Sequence, residues 1–135
     1  MTKGYYPNVT TLYNLYYDNV DESEIVWDRM LKRTKEEENM FKKSDQHFVK
    51  LFTEIVPVEE KDLIKILNLI EKPIMDLKNE INRARPWQLK KKIKDNMLKS
   101  FTADTPSFPS GHSLQSYYLA SLLAIIFPRK RKELF

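Results

Sequence analysis

One hundred and thirty-five residues make one domain, and a chain without cysteine excludes disulfide frameworks, thiolate metal sites and cysteine nucleophiles. Two histidines, His47 and His112, exclude a three-histidine metal site within one chain, and two glycines, Gly4 and Gly111, are too few for the turns of a barrel or sandwich. The net charge of +4 divides unevenly: residues 1–67 carry 10 basic and 13 acidic side chains, residues 68–135 carry 13 and 6, so the second half is the one suited to an anionic ligand.

The composition predicts an all-α fold, a helical bundle built over residues 21–135 behind an N-terminal arm of residues 1–20. That arm is aromatic and aperiodic (Tyr5, Tyr6, Tyr13, Tyr16, Tyr17). Asp21 or Ser23 is suited to cap a helix reaching about Arg33, with Ile25, Val26, Trp27, Met30 and Leu31 as its apolar positions. Thr34 with Glu37 forms a capping box for a second helix. Ser44 reads as a further cap, ahead of an apolar stripe at Phe48, Leu51, Phe52 and Ile55 that Pro57 ends.

Val58 to Arg83 reads as one long helix or two joined pieces, keeping a helical period through Leu63, Ile66, Leu67, Leu69, Ile70, Ile74, Leu77 and Ile81. Pro73 is expected to kink it and Pro86 to stop it. Trp87 to Leu98 reads as one short basic helix, and Thr102 to Pro109 as a loop. Ser110 to Phe127 gives the strongest helical signal, closed by Pro128. It lacks a properly polar face, so it asks for packing on all sides, and His112, Ser116, Ala120 and Ala124 form a strip of small residues where another helix can approach. Its apolar run is too short and too interrupted to span a bilayer, and no signal peptide opens the chain; the expectation is a soluble, cytoplasmic protein with no integral membrane segment.

Two short clusters carry chemistry. Lys78 and Arg85 are seven residues apart, about two helical turns, and so are expected on one helix face, one a mobile point charge and the other a planar fork for an oxyanion. Pro109-Ser110-Gly111-His112 opens the apolar helix. A helix N-terminus offers free N–H groups to an anion, Gly111 removes a Cβ from the approach, Ser110 can cap or bond an oxygen, and His112 can donate a proton. Either cluster alone is ordinary in a basic helical chain. Together in one short chain their chance likelihood is on the order of 10⁻⁵.

Lys78-x6-Arg85-Pro86 followed by Pro109-Ser110-Gly111-His112 resembles the first two signature motifs of the type-2 phosphatidic acid phosphatase and vanadium haloperoxidase superfamily. The surrounding Pro106-Ser-Phe-Pro-Ser-Gly-His-Ser113 looks closest to its soluble branch, near the class A acid phosphatases. The resemblance implies a helical bundle that hydrolyses phosphomonoesters without a metal or other cofactor, through a phosphohistidine, with vanadate able to take the place of phosphate or to serve as a haloperoxidase cofactor. Lys78 and Arg85 would hold phosphate oxygens, Ser110 and the Gly111 N–H the same group, and His112 would protonate the leaving oxygen.

The superfamily's third motif, Ser-Arg-x5-His-x3-Asp, supplies the attacking histidine and has no counterpart in these residues: His112 is the last histidine, and His47 has Phe41 and Met40 before it and Leu51 after it where the motif needs Arg, Ser and Asp. Three readings follow: the N-terminal part of an acid phosphatase, inactive alone; a protein that binds phosphate or vanadate without turnover, or completes its site as a homo-oligomer or with a missing C-terminal segment; and a basic helical interaction module. The basic runs Lys90 to Lys92 and Arg129 to Lys132 lack interleaved aromatics and read as solvated faces, so no nucleic acid partner is expected; the expected partner is a phosphate-ester substrate. Trp87, beside Arg85-Pro86, is placed to wall the pocket.

Overall fold

The computed structural model describes residues 19–135, with side chains from Asp21 onward, and among these residues there is no strand. Helix α1 spans Asn19–Leu31, α2 Lys35–Ser44, α3 Phe48–Thr53 and α4 Glu60–Ile81. Short helices α5, Pro86–Leu89, and α6, Lys91–Asn96, follow, then α7, Gly111–Ile126, a 3₁₀ turn at Pro128–Lys130 and α8, Arg131–Leu134. The expected arm lies outside the described residues, except that Asn19 and Val20 open α1.

The helix starts depart from expectation in two places and agree in a third. Ser23 is not a cap: α1 begins earlier, and Ser23 is fully buried within it. Ser44 is not a cap either; it closes α2, with its hydroxyl donating back to the Met40 carbonyl at 2.8 Å. The Thr34–Glu37 capping box is present, with the Glu37 N–H donating to Thr34 Oγ1 at 3.2 Å and the Thr34 N–H donating to Glu37 Oε2 at 2.9 Å.

Helix α4 runs unbroken through Pro73 and ends before Pro86 is reached, because Asn82 adopts the left-handed conformation, φ 48°, and its N–H donates to the Lys78 carbonyl. Asparagine is one of the few side chains that tolerate this C-terminal geometry. Pro86 instead occupies the first turn of α5, where a missing N–H is harmless. The single basic helix expected over residues 87–98 is divided by Lys90, which is extended at φ −136°.

The core forms where α3, α4 and α7 meet, with α8 closing its end. Val49, Phe52 and Val56 pack against Leu63 and Leu67 of α4 and Leu119, Ala120, Leu123 and Ala124 of α7. Full burial of a leucine such as Leu119 contributes roughly 1.5–3 kcal/mol. The expected small-residue strip is buried at Ala120 and Ala124. The same helix is not covered all round by the described residues: Tyr117, Ile125 and Ile126 are exposed at 68%, 78% and 59%. Along α4 the buried positions Leu63, Leu67, Ile74 and Lys78 share one face, so the stripe that packs the core carries a lysine into the interior at its C-terminal end. Among the described residues no helix is long and apolar enough to cross a membrane.

Candidate functional site

Lys78 is 3% exposed, and its ammonium donates to the Pro106 carbonyl at 2.7 Å. Burial lowers its pKa from the ordinary lysine value, and the neighbouring Arg85 guanidinium lowers it further. Arg85 does not share a helix face with Lys78, because α4 has already ended at Ile81. The left-handed turn at Asn82 and an extended segment bring it back, and the proline after Arg85 favours that extended backbone. Arg85 Nε donates to the Thr105 carbonyl at 2.7 Å, with Nη2 at 3.5 Å from Thr105 Oγ1. Burial lowers the Arg85 pKa too, an effect that the Asp104 carboxylate opposes.

The loop before α7 is fastened to the segment carrying Arg85. The Ser107 N–H donates to the Arg83 carbonyl at 2.8 Å and its hydroxyl to the Ala84 carbonyl at 2.9 Å. Arg83, itself buried, pairs with Glu22 of α1, which anchors the connector from its other side. Asp45, just after α2, accepts both the Ser100 hydroxyl, 3.0 Å from each carboxylate oxygen, and the Thr102 hydroxyl at 3.3 Å. The loop is thus held at both ends by residues distant in sequence.

Ser110 caps α7, its Oγ accepting the Ser113 N–H at 3.2 Å. The N–H groups of Gly111 and His112 belong to the first turn, which has no helical acceptors. A Cβ built on Gly111 would stand 3.8 Å from Lys78 Cε, so the helix N-terminus and the buried lysine face each other across a gap about one side-chain atom deep. The His112 ring packs against Phe48 of α3, centroids 5.0 Å apart and planes inclined at 57°.

Lys78, Arg85, Ser110, Gly111 and His112 all line one cavity of about 480 Å³. Its remaining wall is largely apolar, including Met30, Phe41, Ile74, Met97 and Leu98, and the expected pocket residue Trp87 is part of it. A volume of this size suits a small organic ligand. His47 is exposed and does not line it. The run at Lys90 to Lys92 is not simply a solvated face: Lys90 and Lys92 pair with Glu24 of α1, and Lys92 stands 4.9 Å from the centre of the Trp27 ring. Asp45 and Thr105 are wall residues that the sequence did not single out, because isolated polar side chains carry no spacing signal.

The family model of the PAP2 superfamily matches residues 64–135, more than half of the chain and the whole of both motifs. The chain belongs to the PAP2 superfamily. Neither a curated protein nor a solved structure matches it. The PAP2 match begins within α4 and runs through α8, so it takes in α4 from Ile64 onward and all of α5 to α7, whereas α1 to α3 and the turn after α2, which supply Met30, Phe41 and Asp45 to the wall, precede it.

Proposed function

We propose that this cavity is the phosphate cradle of a metal-independent phosphomonoester hydrolase of the acid phosphatase type. The observation that carries the reading is the convergence of two cations, a helix N-terminus and a histidine from separate segments on one partly apolar cavity. Lys78 and Arg85 each have further N–H donors beyond those given to the loop carbonyls, five in all for a guanidinium and three for an ammonium. These, the Ser110 hydroxyl and the Gly111 N–H hold the non-bridging oxygens, and the charge that builds on them in the transition state is met by donors already in place. His112 gives its proton to the leaving oxygen as the P–O ester bond breaks. The apolar wall at Met30, Phe41, Met97 and Leu98 receives the organic part of the ester.

The reaction also needs a nitrogen nucleophile that forms a P–N bond and then surrenders the phosphoryl group to water. No histidine other than His112 lines the cavity. Residues 1–135 alone are therefore expected to bind phosphate or vanadate without turnover, and hydrolysis to require a histidine from further chain or from a second molecule. Isothermal titration with inorganic phosphate and with vanadate tests the cradle. Saturable binding that Arg85→Ala abolishes is the expected result; binding indifferent to Arg85→Ala and Lys78→Met sinks the proposal. p-Nitrophenyl phosphate hydrolysis by the same chain should not exceed that of His112→Ala, and clear His112-dependent turnover would overturn the account of the nucleophile.

A further inference from the structure

Asp45 stands just past the C-terminal end of α2, upstream of the PAP2 match, yet it is on the wall of the cavity. Its carboxylate is engaged by the loop before α7. Ser100 Oγ is 3.0 Å from both carboxylate oxygens, and Thr102 Oγ1 is 3.3 Å from Oδ1. The Thr102 N–H donates in turn to Ser100 Oγ at 3.2 Å. One carboxylate thus fixes two side chains and one backbone N–H at the start of the loop. Hydrogen bonds to a charged acceptor are roughly twice as strong as neutral ones, so this is a firm attachment.

Thr105 and Pro106 follow shortly after, and their carbonyls accept from Arg85 Nε and Lys78 Nζ, each at 2.7 Å. Beyond them, Ser107 bonds to the carbonyls of Arg83 and Ala84, which holds the end of the loop nearest α7. Asp45 holds the end from which Thr105 is approached. With both ends fixed, the two carbonyls have a set place, and so do the cations bonded to them. A site whose donors are already placed spends none of its binding energy on ordering them.

We infer that Asp45 is a positioning residue for the cradle: through Ser100 and Thr102 it fixes the Thr105 and Pro106 carbonyls, and through them the Arg85 guanidinium and the Lys78 ammonium. The inference rests on the phosphate-cradle reading, and the experiment separates their failures. The two roles open to Asp45 differ in sign. A carboxylate that is only a charge on the wall repels a bound anion, so its removal tightens phosphate binding. A carboxylate that positions the cations weakens binding when it is removed.

Asp45→Asn keeps an oxygen acceptor for the hydroxyls and loses the charge, whereas Asp45→Ala loses both. Calorimetric titration with inorganic phosphate should show Asp45→Ala about fivefold weaker than wild type and Asp45→Asn within about twofold of it. In a ¹⁵N-labelled sample the Arg85 Nε–H resonance, assigned with Arg85→Lys, should exchange with water faster in Asp45→Ala than in wild type or Asp45→Asn. Thr34→Ala breaks the capping box at the opposite end of α2 and should lower the melting temperature without moving either readout. Ser100→Ala removes the bond from the loop side with the Asp45 charge in place, and should also weaken binding; it decides the matter if Asp45→Ala folds poorly. Arg85-dependent phosphate binding that tightens in both Asp45 variants, or that Asp45→Ala and Ser100→Ala leave unaltered, overturns the inference and spares the cradle. So does a loss of affinity that Thr34→Ala reproduces. Absence of phosphate binding overturns both.

Discussion

Lys78 and Arg85 donate, each at 2.7 Å, to the carbonyls of two adjacent residues, Pro106 and Thr105. A buried ammonium and a guanidinium that would otherwise repel each other are thereby spaced by one rigid peptide. The stretch Thr105-Pro106 works as a template that sets two positive groups side by side, facing the N-terminus of α7.

Arg85→Lys keeps the charge and loses the fork. A lysine ammonium cannot hold the Thr105 carbonyl and present two parallel donors to an anion at once. Phosphate affinity measured by calorimetry should fall about tenfold or more, with the melting temperature little changed.

The lowered Lys78 pKa sets a pH dependence with a definite sign. Anion binding needs the charged ammonium, so phosphate affinity should decline as pH rises through the Lys78 pKa, at lower pH than an ordinary lysine of about 10.4 would give. Stability runs the other way. Between the depressed folded value and the unfolded one the unfolded chain binds more protons, so this group makes the unfolding free energy rise with pH across that window. Chemical denaturation and phosphate titration over the alkaline range should show opposite slopes, and Lys78→Met should flatten both.

Gly111→Ala separates folding from binding. The added Cβ meets Lys78 Cε at 3.8 Å, an ordinary contact, and Gly111 has no positive φ, so the fold should accept it with stability changed by about 1 kcal/mol or less. The methyl group occupies the gap between the helix N-terminus and the lysine, so phosphate affinity should fall severalfold. Unchanged affinity would count against an anion seated there.

Leu119→Ala tests the frame and not the site. Leu119 is fully buried between α4 and the other core helices, and its truncation should cost about 2–5 kcal/mol in urea unfolding. Phosphate affinity of the folded fraction should remain, because Leu119 does not line the cavity.

The all-α class, the Thr34–Glu37 capping box, the Ser110 cap and the apolar helix after it could be read directly from the chain, since each depends on neighbours within a turn. So could Lys78, Arg85, Ser110, Gly111 and His112, five of the residues on the cavity wall, because helix starts, prolines and basic side chains at fixed spacing leave local marks. Ser23 and Ser44 do not cap for a related reason: a serine's local preference yields when burial or a bond to the carbonyl four residues back is available.

What tertiary structure alone decided is how those residues meet. Residue spacing put Lys78 and Arg85 on one helix face, but the left-handed Asn82 ends α4 between them, and it is the loop carbonyls of Thr105 and Pro106 that align the two cations. Asp45 tying down the loop and Phe48 against His112 have no counterpart in local sequence. Short-range preferences determined the helices and the chemical character of the site. Its geometry came from long-range hydrogen bonds and burial, which depend on which segments the packed core brings within reach.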